Sequence, residues 1–141
     1  MGQLLDKKAL LQRDNLTIEK VEFEDGNHVF VRQMTGRERD KWEQSLMREV
    51  KRPNGQIDYE RSLDDFRAKL AVCTVCDEKG KLLLNFNDYN KLSENMSAFK
   101  LEKIVNVAQK LNKISEEDRE NLSKSSEETQ ADNSTSDSVE N

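Results

Sequence analysis

Two cysteines and one histidine are all the thiols and imidazoles in the 141 residues. A structural zinc site takes four Cys or His ligands, and this chain offers three, so no metal is expected. The five glycines (2, 26, 36, 55 and 80) are isolated from one another. Neither of the glycine-rich phosphate loops, GxGxxG or GxxxxGK[ST], can therefore be written, which excludes nucleotide binding by those routes. No apolar run approaches the roughly 20 residues that span a bilayer, and no membrane association is expected. The N-terminus lacks the basic region, apolar stretch and cleavage site of a secretory signal. Gly2 would start a myristoylation motif, but that motif wants Ser or Thr where this chain has Asp6. Hydrophobic residues make up 34% of the chain and aromatic ones 6%, which predicts one domain with a modest core.

Charge, by contrast, is abundant, with 28 acidic against 23 basic residues. Much of the imbalance sits at residues 123–141, where six Ser, two Thr and five acids accompany only Ala131 and Val139 as apolar groups. That composition predicts an acidic, disordered, Ser-rich tail. Residues 1–122 keep 22 basic and 23 acidic groups and are expected to form the single folded domain. A nearly neutral body argues against a nucleic-acid partner, because affinity for phosphate backbones needs clustered cations. The richest basic stretch, Arg37 to Arg52, interleaves six basic with four acidic residues and reads as a solvated face.

Catalytic chemistry finds little to work with. The carboxylates are scattered among the cations and single out no general acid and base. His28 follows the turn Asp25-Gly26-Asn27, has no nucleophile elbow near it and reads as a strand surface residue. Cys73 and Cys76 form a CxxC pair inside an amphipathic pattern, which favours two buried thiols over a redox motif. No enzyme activity and no cofactor are expected.

The pattern of residues predicts an α+β fold, mostly helical, in which an N-terminal β-hairpin precedes a small helical bundle. Leu4, Leu5, Leu10 and Leu11 lie roughly on one face of a short helix that needs a surface to dock on. Residues 17–24 and His28 to Gln33 flank Asp25-Gly26 as a hairpin. Thr35 and Glu38 have capping-box spacing, so a helix opens there and runs to about Lys51, where Arg52-Pro53-Asn54-Gly55 breaks it. A second helix is expected from about Tyr59 into the cysteines. The segment LAVCTVC (70–76) fits the buried end of that helix or a switch into a strand equally well. Asp77 to Gly80 reads as a turn, and Lys81 to Phe86 as a short strand pairing with what precedes it. Asn87-Asp88 caps a short helix through Leu92. Ser97 caps the cleanest stripe, Leu101, Ile104, Val105, Ala108 and Leu111. Ser115 opens a last turn or two, with Leu122 as the final anchor.

Three stretches carry a further signal: VFVRQMTGRERDKWEQ (29–44), RSLDDFRAKLAVCTVCDEKGKLLL (61–84) and NKLSENMSAFKLEKIVNVAQKLNKISEED (90–118). In order and content they resemble the tail assembly chaperones of long-tailed bacteriophages and prophages of Gram-positive hosts. The resemblance covers roughly residues 1–122 and rests on packing and capping patterns, with no catalytic motif. It implies a non-enzymatic protein of the host cell cytoplasm that binds the phage tape-measure protein. Such a protein helps tail-tube subunits assemble around that long helical chain and is absent from the mature virion. A structural tail or connector component retained in the virion is the alternative. Helix-in-groove contact is the simplest mode of binding. Trp42, Leu46, Met47 and Val50 are the candidate partner-binding stripe, with core packing as the competing reading of the same residues. Self-association into a homo-oligomer is also compatible with exposed stripes that await a partner.

Overall fold

The Asp25-Gly26 turn, between strands rich in β-branched and aromatic residues, builds the first hairpin of the computed structural model, which describes residues 2–114. Strands β1 (Ile18–Glu22) and β2 (His28–Arg32) pair antiparallel, with Val21 opposite Val29 and Glu19 opposite Val31. Phe23 N–H donates to the Asn27 carbonyl at 2.8 Å and Gly26 N–H to the Phe23 carbonyl at 3.1 Å. Gly26 takes φ 89°, so the connection is a type I turn ending in a left-handed residue, where glycine escapes the Cβ penalty. Val21, Phe23 and Val31 are buried.

The next element departs from expectation. The Thr35–Glu38 capping box forms as the spacing predicts, with Thr35 N–H donating to Glu38 Oε1 at 2.9 Å and Glu38 N–H to Thr35 Oγ1 at 3.3 Å. The helix it opens, α2 (Gly36–Ser45), however, stops well before Lys51, with Leu46 as its C-cap. Met47–Lys51 is a strand, β3, paired in register with β4 (Ile57–Arg61). Arg52 N–H donates to the Gln56 carbonyl at 2.8 Å and Gly55 takes φ 87°, so Pro53-Asn54-Gly55 joins two strands instead of separating two helices. Beyond Leu46 a continued helix would have had little apolar face to bury, and an exposed helix has little to hold it. The helix expected from about Tyr59 likewise begins only at Phe66, and Tyr59 lies on β4.

Helix α3 (Phe66–Val72) then switches into a strand. Thr74 Oγ1 donates back to the Leu70 carbonyl at 2.8 Å, closing the helix end, and β5 (Val75–Cys76) pairs with β2. A third turn of the same form follows, with Gly80 at φ 92°. The strand expected over Lys81 to Phe86 is reduced to a bridge between Leu82 and Cys76. A 3-10 turn (Phe86–Asp88) leads into α4 (Tyr89–Asn95), which runs past Leu92. Ser97 caps α5 (Ala98–Leu111) by accepting from Lys100 N–H at 3.2 Å.

The result is an α+β arrangement: a three-stranded sheet, β1-β2-β5, with α5 packed on β1, β2 and α3, and the β3–β4 arm as a separate two-stranded sheet. Leu101, Ile104, Val105 and Ala108 of α5 are buried, as their spacing predicts. At the N-terminus, α1 (Lys7–Leu11) buries nothing, and Leu4, Leu5, Leu10 and Leu11 are all exposed. The expected turn at Ser115, the anchor Leu122 and the tail at 123–141 lie outside the described residues.

One buried cation fastens sheet to helix. Arg32, 3% exposed, donates both terminal nitrogens to Glu38, at 2.8 Å each, and Nη1 also reaches the Gln33 carbonyl. At the same corner, Asn112 Oδ1 accepts from Met34 N–H at 2.7 Å, and the Asn112 carbonyl accepts from Arg39 Nη1 at 2.9 Å. Burial pushes the Glu38 carboxyl up, but the hydrogen bonds from Arg32 and the Thr35 N–H outweigh it and hold it below the usual value. The ionised form therefore stabilises the fold above the ordinary carboxyl pKa of about 4.3, and that contribution is lost as pH falls through the lowered native value. Glu38→Gln should cost about 2 kcal/mol at neutral pH, less than for a fully buried pair because Glu38 retains 27% exposure. Urea midpoints measured from pH 7 to pH 3 should fall less steeply for this variant than for the wild type; parallel profiles would contradict the assignment.

Candidate functional site

The stripe of Trp42, Leu46, Met47 and Val50 is divided by the end of α2. Trp42 and Leu46 are each 1% exposed and belong to the core, with the indole edge-on to Phe66 at 5.6 Å. Met47 is exposed at the root of β3, and Val50 is half-buried further along it. The four therefore present no common surface. Two of them are closed to a partner by the packing that folds the domain.

An open apolar groove instead forms where α4 meets α5. Met96 and Ser97 both take extended backbone, breaking one helical run into two helices. Helix α4 packs on α3, and a groove of about 720 Å³ opens toward the first turn of α5. Its apolar lining is Leu84, Leu92 and Met96, each partly buried against the core. Asp88, Lys91 and Lys100 add charge around it. Lys100 pairs with Asp25 at 3.4 Å, while Lys91 has no ion-pair partner among the described residues. Ser97 and Lys100 also line a second, smaller depression with Phe23 and Phe99. Phe99 is 58% exposed, with Lys103 Nζ 5.5 Å above its ring. Solvent-facing Leu83 is a near neighbour in sequence to the groove's Leu84.

Sequence reasoning missed this groove because its members come from three segments. Leu92 and Met96 share helical spacing, but Leu84 joins them only through the loop after β5. The exposed face of β4, with Ile57 and Tyr59, is missed for a simpler reason: the expected helix starts at about Tyr59, and Ile57 and Asp58 fall between it and the break at Gly55. The alternation of Ile57 and Tyr59 with Asp58 and Glu60 was the available signal.

The remaining polar candidates are structural in their surroundings. Three cations of the basic stretch are matched: Arg39 with Glu43, Arg48 with Glu60 and Arg52 with Asp58. His28 is an exposed strand residue, edge-on to Phe30 at 5.6 Å. Cys73 and Cys76 are both buried. Among the described residues no group of three or more His, Cys, Asp or Glu is placed to hold a metal ion. No helix there is long and apolar enough to cross a membrane. No family model, curated protein or solved structure matches the chain.

Burial pushes the Cys73 thiol up to about 11 and raises that of Cys76 as well. The thiolate is the reactive form, so both should resist a thiol-specific chromogenic reagent at pH 8 in the native protein. Labelling should proceed at the unfolding rate and become fast and stoichiometric in denaturant. Rapid native labelling of either residue would contradict their placement in the core.

Proposed function

We propose that the chain is a non-enzymatic tail assembly chaperone of a long-tailed phage or prophage. In this reading it holds a helical segment of the tape-measure protein in the groove between α4 and α5. The open apolar groove is the observation that carries the reading. Leu84, Leu92 and Met96 offer a strip for the apolar face of an amphipathic helix, and Phe99 lines the depression beside it. Lys91, without an ion-pair partner among the described residues, suits an acidic residue flanking that face.

A tape measure is a long helical chain whose apolar stripes need cover until tail-tube subunits assemble around it. A small domain with a shallow, open groove can cover such a stripe and be displaced later, because little area is committed in one contact. The chain then acts in the host cell cytoplasm and is left behind when the virion is complete. On this reading the plan is a β-hairpin followed by a small, mostly helical bundle, with the β3–β4 arm between its first two helices. The partner surface named by the sequence, Trp42, Leu46, Met47 and Val50, gives way to the α4–α5 groove, because two of those four residues have no exposed surface to offer.

Affinity capture of the tagged full chain from phage-producing cells, with mass spectrometry of the eluate and of purified virions, tests the proposal. A very long helix-rich tail protein should appear in the eluate, and the chain should be absent from virions. Met96→Glu and the more exposed Phe99→Glu should each reduce recovery at least about tenfold, since either buries a charge in the contact. Thermal melts should show Phe99→Glu folded as well as the wild type. Stoichiometric presence in virions would make the chain a structural component instead, and undiminished recovery by both variants would move the contact elsewhere.

A further inference from the structure

The β3–β4 arm is a two-stranded sheet with no third strand, attached to the body chiefly through α2 at its root. None of its ten residues is buried. Isolated hairpins are marginal in water, and a third and fourth strand are the usual remedy. We propose that a second copy of this chain supplies them by antiparallel pairing along β3, with Glu49 of one copy opposite Lys51 of the other.

The ladder geometry leaves that edge open. Ser62 N–H donates to the Leu46 carbonyl and Arg52 N–H to the Gln56 carbonyl. In an antiparallel ladder such bonded pairs alternate, so Arg48, Val50 and their partners bond inward. The N–H and C=O groups of Met47, Glu49 and Lys51 therefore point outward. No other group among the described residues hydrogen-bonds to them.

Charge then selects the strand and the register. The two faces of the arm differ: on one, Arg48 pairs with Glu60 at 2.7 Å and Arg52 with Asp58 at 2.6 Å. On the other face, Glu49, Lys51 and Arg61 have no ion-pair partners among the described residues and sit between exposed Met47, Ile57 and Tyr59. Setting Glu49 opposite Lys51 of the second copy makes two new opposite-charge pairs from charges that are otherwise unmatched. The same register sets Val50 against its own copy on the other face. Arg48 then lies opposite Arg52 of the second copy, but each keeps its own carboxylate. Shifting by one pair places Glu49 opposite Glu49, which is repulsive. Pairing along β4 gains no ion pair, because Arg61 is the only charge among its outward residues. Charged edges normally discourage association. Opposite signs two residues apart make this one complementary to itself.

The closed arrangement is a four-stranded sheet, β4-β3-β3-β4, with two-fold symmetry. Its outer face would read Tyr59, Glu49, Lys51, Ile57 across the four strands. Pro53 ends the ladder, since Met47 of the second copy meets a residue without an N–H. The contact is independent of the α4–α5 groove.

Sedimentation of the full chain across a concentration series tests this. Expected is a monomer–dimer equilibrium weakened by about tenfold or more in Glu49→Lys and in Lys51→Glu, because two attractive pairs become two like-charge pairs. The double exchange, E49K with K51E, should restore it. Hydrogen exchange at the Glu49 and Lys51 amides should slow as concentration rises. A chain that stays monomeric throughout would overturn the proposal. A dimer indifferent to all three variants, or open-ended polymers, would also overturn it, by placing the contact on another surface or between unlike edges.

Discussion

A single buried guanidinium holds the two halves of this fold together. Arg32 ends the strand at the centre of the sheet, and Glu38 opens the helix that follows. Removing a cation from water is costly, and only a well-placed carboxylate with further hydrogen bonds offsets it. Glu38 and the Gln33 carbonyl together satisfy both terminal nitrogens, with Nε buried and unpartnered among the described residues, and Glu38 also closes the capping box at Thr35. One carboxylate thus ends a strand, starts a helix and sets the angle between them. The direction it gives α2 sends Trp42 and Leu46 into the core, and Asn112 secures the far end of α5 to the same corner through Met34 and Arg39.

Much of this was legible in the residues. Asp25-Gly26 announced the first hairpin, T-x-x-E announced α2, and the stripe from Leu101 to Ala108 announced α5. In each case local chemistry and tertiary packing asked for the same structure. The failure came after Leu46. Trp42, Leu46, Met47 and Val50 match helical spacing, and nothing within Met47–Lys51 forbids a helix. The strand forms because Ile57–Arg61 is available as a partner and Gly55 supplies the left-handed turn residue between them. Three connections, ending at Gly26, Gly55 and Gly80, share that geometry. The first and third read as turns between pairing segments, but the second reads as a break between helices, since it follows an apolar pattern of ambiguous period.

The proposed binding surfaces were less legible than the fold, for a physical reason. Residues that look most like a contact stripe, a Trp with Leu and Met at helical spacing, are the ones a small domain needs for its own core. What remains outside is assembled from breaks: the extended pair Met96-Ser97, the loop that carries Leu84, and an arm with open backbone edges. A chain with so modest an apolar content separates the two tasks. It folds on one set of side chains and leaves other, smaller sets at the surface, where the proposed contacts lie.

Site-specific photo-crosslinking in phage-producing cells tests that separation most directly. A photoreactive residue at Lys91 should give an adduct with a very long helical protein, and one at Lys51 an adduct with a second copy of the chain. Adducts with the long partner from position 51 and none from position 91 would contradict the assignment of the groove.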